Sequence, residues 1–214
     1  MSKLYSPFQG DNILQMYNKK DKISESYEKL IRTFHEIFLV TPYEKISIEN
    51  IAKRAGMTRV NFYHYFVDKE DILYRTYIDF YRKMESESPT VDPKTLLANG
   101  RSLTYYALEN TKANIQFYKM LFQNSIPASV TYRIIDFITE ESYRTHEPLR
   151  KLYKEKFPPY QFVNQCLAGA FWNLIRNLVL SGTDFDSELV SDFFTKLSTQ
   201  GLPSFLDVGS QKQN

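Results

Sequence analysis

From Ser24 onward apolar residues recur at intervals of three and four. Tyr27, Leu30, Ile31, Phe34, Ile37 and Phe38 share one stripe, which predicts an amphipathic helix. Thr41-Pro42 ends it, because the residue before a proline is pushed out of the helical region. Ser47 can then cap a short helix with Ile48, Ile51, Ala52 and Ala55 on its inner face. Gly56 stops that helix, since glycine enters the left-handed region without strain. Thr58 caps the next helix, Arg59 to Tyr65. Asp68 caps a longer one with Ile72, Leu73, Tyr77, Phe80, Tyr81 and Met84 as its stripe. The polar run from Glu85 to Pro93 reads as a joint, with Asp92 a cap and Pro93 at the first helical position beyond it. Further helices are predicted at about 93–111, 113–124, 128–145, 160–181 and 187–198, punctuated by Pro127, Pro148, Pro158-Pro159 and Gly182. Residues 1–20 lack clean periodicity and read as a loose arm, and the final GSQKQN as disordered. With only 7 glycines and 9 prolines to make turns, the expected class is all-α.

Two short helices joined by a glycine turn have the geometry of a helix-turn-helix. Ala52 falls where the helices cross, and a larger side chain there would force them apart. Ile51, Met57, Phe62 and Tyr65 supply the apolar contacts that set the angle. At about 100° per residue, Phe62 and Phe66 lie within about 40° of each other and take the core. Val60, Asn61, Tyr63 and His64 spread over the opposite side, where a major groove would meet them. Asn61 can offer a donor and an acceptor to base edges, and Val60 can touch a thymine methyl. Arg59, Tyr63 and His64 can reach phosphates. Ser47 begins one helix and Lys69 lies just inside another, and amides at helix N-termini attract anions. The alternative is that Tyr63 and His64 are partly buried spacers and Arg59 a solvated cap.

Charge sharpens this picture only locally. Residues 1–88 and 89–214 each carry a net charge of +1, so neither half is a polycation. Between Lys53 and Lys69, however, four basic side chains face Asp68 alone, an excess of +3.

In the second half, the stretch 160–181 is apolar nearly all round. Phe162, Cys166, Ala170, Leu174 and Leu178 share one side, while Leu167, Phe171, Trp172, Ile175 and Val179 take most of the rest. Such a helix needs cover on two sides. One cover is its own domain; the other is the same helix of a second subunit, with Ala168-Gly169-Ala170 allowing close approach. The helix from Ser187, with Leu189, Val190, Phe193, Phe194 and Leu197, would complete a four-helix interface. The alternative is a central core helix of a monomer. The segment 93–160 is rich in aromatics, which serve equally as core or as the wall of a ligand pocket.

Several classes are excluded by missing parts. His35, His64 and His146 are scattered, and Cys166 lies in an apolar helix with no His or Asp near it in sequence. No metal spacing, phosphate loop or nucleophile elbow occurs, so an enzyme is not expected, and neither is a cofactor. A single cysteine fits a reducing compartment. No apolar run approaches the roughly 18 residues of a membrane span or the form of a signal peptide, so a cytoplasmic location is expected. A purely structural interaction protein would not need the Ser47–Lys69 arrangement.

The stretch SIENIAKRAGMTRVNFYHYFVDKEDIL, Ser47 to Leu73, resembles the TetR/AcrR family of bacterial transcriptional regulators. The likeness lies in the hydroxyl that opens the second helix, Ile-Ala, Ala-Gly, the Thr58 hydroxyl before the third helix, Tyr-x-Tyr-Phe, and Lys-Glu leading into a long fourth helix. Many members carry glycine where this chain has Val60, and often threonine where it has Asn61. The resemblance implies an N-terminal three-helix DNA-binding domain followed by a larger helical domain for ligand binding and dimerisation. The corresponding division is an arm at 1–20, the DNA-binding domain at 21–68, a connecting helix at 69–88 and the regulatory part at 89–214. It implies Ser47, Arg59, Tyr63 and Lys69 on phosphates, and Val60, Asn61 and His64 nearest bases. Thr58 stands beside them at the DNA surface, and Tyr65 divides between backbone and core. The implied partners are a palindromic double-stranded operator, a second copy meeting through Phe162, Cys166, Ala170, Leu174, Leu178, Val190 and Phe194, and a small-molecule inducer. The inducer pocket would be lined by Tyr106, Tyr118, Tyr132 and Trp172. The implied activity is a dimeric repressor released by that inducer. The C-terminal half also looks somewhat like activators of dihydroxyacetone-kinase operons, which answer to a partner protein.

Overall fold

The computed structural model describes residues 25–87, 103–145 and 160–200, and these form nine α-helices and one 3-10 turn. In chain order the helices are α1 (Glu25–Phe38), α2 (Ile48–Arg54), α3 (Arg59–Tyr65), α4 (Lys69–Glu87), α5 (Leu103–Ala113), α6 (Ile115–Gln123), α7 (Ala128–Thr145), α8 (Tyr160–Ser181) and α9 (Ser187–Gln200). The 3-10 turn, Tyr43–Lys45, follows Pro42. The arm at 1–20, the first part of the helix expected from 93 and the C-terminal tail lie outside the described residues. Among those residues no strand occurs, and no helix is long and apolar enough to cross a membrane.

All six residues of the predicted α1 stripe are buried. The Ser47 hydroxyl accepts from the Asn50 amide at 3.1 Å and starts α2. Gly56 closes α2 with φ +67°, and its amide donates to the Lys53 carbonyl at 3.0 Å. An added Cβ there would meet only the far end of Lys29 at 3.6 Å, so the backbone conformation, not space, demands glycine. Gly182 ends α8 in the same way, at φ +65°. The Asp68 carboxylate accepts from the Asp71 amide at 2.7 Å and caps α4. That helix runs on to Glu87, so the expected joint at Glu85 is helical in its first three residues.

α1 packs on α2, α4 and α6; α4 continues along α5 and α7; α8 lies against α6 and α7, and α9 against α5. One apolar core runs through both halves. Phe117 of α6 sits 5.3 Å from Phe38 of α1 and 4.8 Å from Phe80 of α4, centre to centre. Deeper in, Tyr77 of α4 meets Trp172 of α8 at 5.9 Å and Tyr118 of α6 at 6.3 Å. His35 completes the join, edge-on to Phe80 at 5.1 Å, and burial holds its pKa below the usual histidine value. The first helices are therefore tied by packing to those behind them.

Candidate nucleic-acid interface

α3 owes its orientation to two buried rings and one cap. Phe62 is fully buried and Phe66 nearly so, their centres 5.3 Å apart, with Phe66 stacked on Tyr27 of α1 at 5.2 Å. Beneath them lie Ile51 and Ala52 of α2 and Ala55 just past its end, all buried. At the N-terminus Thr58 and Asn61 form a capping box. The Asn61 amide donates to Thr58 Oγ1 at 3.2 Å, and the Thr58 amide donates to Asn61 Oδ1 at 3.3 Å. The Thr58 hydroxyl also bonds to Asn61 Oδ1.

The outer flank is open. Arg59, Val60, Asn61, Tyr63 and His64 are all exposed, Val60 at 66% and Tyr63 at 47%. Arg59 and Tyr63, one turn apart, form a unit. Arg59 Nη2 donates to the Tyr63 hydroxyl at 3.1 Å, and the guanidinium carbon lies 5.6 Å from the ring centre. That hydrogen bond pushes the Arg59 pKa above its ordinary value. Ser47, Lys53 and Arg54 of the preceding helix are exposed as well. Tyr65 is half-buried, packs on the core and meets Tyr27 edge-on at 6.3 Å.

Three of the expected contact residues also have partners within the chain. The Lys69 ammonium donates to the carbonyls of Tyr43 at 2.9 Å and Ile46 at 3.0 Å and lies 4.1 Å from the Tyr43 ring centre. Burial lowers its pKa, and its work is to hold the 3-10 turn against the start of α4. The Thr58 hydroxyl is used within the capping box. Asn61 spends its carbonyl oxygen there too, which leaves its side-chain amide nitrogen, a donor only, outside the box. These bonds depend on backbone geometry and on partners up to 26 residues away, which side-chain type does not show.

The ligand candidates divide. Tyr106 lines a cavity of about 630 Å³ between the end of α4 and α5, with Phe80, Lys83, Met84, Glu87, Tyr105 and Asn110 among its other walls. Tyr118 and Trp172 do not line it; they are buried in the aromatic core, 3% and 6% exposed. Burial pushes the Tyr118 hydroxyl up to about 12. Tyr132 is 66% exposed, because Val130 and Ile134 take the inward face of α7 and a residue two positions away points about 200° off it.

The proposed subunit face is also mixed. Cys166 and Ala170 are exposed and Leu174 is half-buried. Leu178 and Val190 pack against the chain's own core, and Phe194 meets Phe171 at 5.2 Å. The Phe162 side chain lies outside the described residues. Exposed Asn173, Arg176 and Asn177 make the outer side of α8 more polar than its run of apolar residues implies. Large exposed apolar surface sits on α9 instead, at Leu189 (69%) and Phe193 (49%).

The comparisons agree with this geometry. Residues 30–75 match the family model of bacterial regulatory proteins, tetR family. Over 201 residues the chain is 24% identical to the uncharacterized HTH-type transcriptional regulator YdgC of Bacillus subtilis (strain 168), spanning 88% of this chain and 99% of that protein. Its fold is similar to that of the transcriptional regulator FadR from Bacillus subtilis in complex with stearoyl-CoA. There the TM-score is 0.55 at 16% identity, covering 82% of this chain and 99% of the other. It is also similar to NalD, the secondary repressor of the MexAB-OprM multidrug efflux pump in Pseudomonas aeruginosa, with TM-score 0.53, 15% identity and coverage of 83% and 95%. The helix-turn-helix at residues 48–65 lies inside the segment that matches the tetR family model, and the helical body behind it shares the fold of these regulators.

Proposed function

We propose that the protein is a dimeric repressor whose α3 reads a palindromic operator and whose grip is released by a small molecule. The observation that carries this reading is the two-sidedness of α3: Phe62 is sealed in the core while Arg59, Val60, Tyr63 and His64 stand exposed on a surface that Lys53 and Arg54 make basic. In this reading Arg59, Tyr63 and Ser47 hold phosphates, Val60, the Asn61 amide nitrogen and His64 meet base edges, and residues 21–68 act as the DNA-binding domain. Cys166 and Ala170 on α8 with Leu189 and Phe193 on α9 form the surface for a second copy. A dimer would set two recognition helices roughly 34–36 Å apart, in successive major grooves.

The cavity between α4 and α5 is the inducer site. Its volume of about 630 Å³ falls in the usual range for small-molecule pockets. Its walls mix Phe80, Tyr105 and Tyr106 with Lys83, Glu87 and Asn110, which suits an amphipathic ligand. α4 connects the two sites: the cavity meets its last two turns, and its first turn follows directly from α3. A ligand that binds one setting of α4 better than another shifts the separation of the recognition helices. A regulator of similar fold is bound to stearoyl-CoA, which supports control by a small ligand.

A gel shift on DNA from upstream of the protein's own gene tests the reading. With Lys53, Arg54 and Arg59 neutralising roughly six phosphates across two subunits, affinity should fall about a thousandfold between 50 and 200 mM salt. Failure to find a salt-sensitive complex on any genomic fragment rejects it.

A further inference from the structure

The start of α4 carries a buried carboxylate that the DNA-reading surface does not explain. Asp71 is 3% exposed. Its Oδ2 accepts from the backbone amide of Val67 at 3.2 Å, in the turn just past the end of α3. Arg75, one turn further along α4, donates Nε to both carboxylate oxygens at 3.1 and 3.2 Å. The third partner comes from the regulatory half: Arg133 of α7, 62 residues away, donates Nη2 to Asp71 Oδ1 at 3.1 Å. The Arg133 guanidinium also lies 4.1 Å from the centre of the Tyr74 ring. Beside it the Ser129 hydroxyl, at the start of α7, donates to Glu70 Oε2 at 2.6 Å.

Charge-assisted hydrogen bonds to a buried carboxylate are strong and directional, so this cluster has one good geometry. Sliding α7 along α4 would leave the carboxylate to Arg75 and the Val67 amide, without the guanidinium from α7 that helps fix where its oxygens point. The same two helices are joined again at their far ends, where Arg82 Nη2 donates to the buried Glu141 at 3.0 Å and Arg144 bridges Glu141 and Glu85. α4 and α7 are thus pinned at both ends.

We infer that Arg133 is a positioning residue for the recognition helix. Through Asp71 and the Val67 amide, α7 of the regulatory half sets the angle at which α3 leaves the body of the protein. This rests on the reading of α3 as the DNA-contacting element and adds the means by which the regulatory half steers it. Arg133 acts through Asp71 and touches no nucleotide.

The test uses the full chain and the DNA fragment it binds. Arg133→Met keeps the apolar stem and removes the guanidinium. It should weaken operator binding at least about fivefold, a usual size for coupling between sites. The Val67 amide should exchange with solvent faster, while the salt slope of binding stays as in wild type. Asp71→Asn should weaken binding too, and adding Arg133→Met to it should cost no more, because both act through one cluster. Wild-type affinity in Arg133→Met, with Arg59→Ala impaired, overturns the positioning role and leaves the DNA surface standing. A salt slope reduced by about 1 in Arg133→Met, as a direct phosphate contact would give, also overturns it. If Arg59→Ala itself binds normally, the DNA surface fails, and the positioning role with it.

Discussion

Phe62→Ala should destabilise the folded chain by about 3–5 kcal/mol, the usual cost of emptying a phenylalanine site in a core. The ring is completely buried and touches Phe66, with ring centres 5.3 Å apart. Five of the seven residues of α3 face solvent on its outer flank, so little else holds that helix down. Neighbouring Ala52 and Ala55 carry only methyl groups and cannot swing in to fill the space. The variant should unfold at a lower denaturant concentration with an unchanged slope, since the surface exposed on unfolding stays the same. A loss below about 1 kcal/mol would mean that the site collapses onto itself and that α3 is held by something else.

The second large effect is on binding, with stability left almost untouched. Replacing Arg59 and Tyr63 together by alanine removes an exposed pair bonded to itself at 3.1 Å. Surface changes of this kind shift folding stability within about 0.5 kcal/mol. Operator affinity should nonetheless fall about a hundredfold. Each subunit loses a charge-assisted contact worth about tenfold in affinity, and a dimer loses two. Fluorescence anisotropy on the bound fragment measures the loss, and thermal unfolding supplies the control. Loss of the Arg59 charge should also lower the salt slope by about 1 for each phosphate contact removed.

Much of the architecture was readable because its signals are local. Ser47, Thr58 and Asp68 cap helices through bonds that span three residues, and Gly56 and Gly182 end them by conformation alone. α7 and α8 begin and end where proline and glycine predict, at 128–145 and 160–181. The inward placement of Phe62 and Phe66 also follows from helical spacing. What periodicity could not give was the use of polar groups by distant partners. Lys69 lies beside the Tyr43 and Ile46 carbonyls only once the 3-10 turn folds back, and Arg133 reaches Asp71 only because α7 packs on α4. Aromatic side chains misled for a related reason: Trp172, Tyr118 and Tyr132 are the same kind of residue in sequence, yet two are core and one is surface. Which of them faces inward depends on the neighbouring helices.

The central claim is that the outer flank of α3 enters the groove of duplex DNA, and directed cleavage tests it most directly. Cys166 is the chain's single cysteine and is exposed, so it is first replaced by serine. An iron chelate is then attached at position 64 through His64→Cys and, in a separate protein, at position 109 through Glu109→Cys, an exposed site on α5. The label at 64 should cut the bound fragment at two symmetric positions about one helical turn apart, and the label at 109 should leave it intact. A fragment that stays bound yet is cut from 109, or is not cut from 64, would contradict the account.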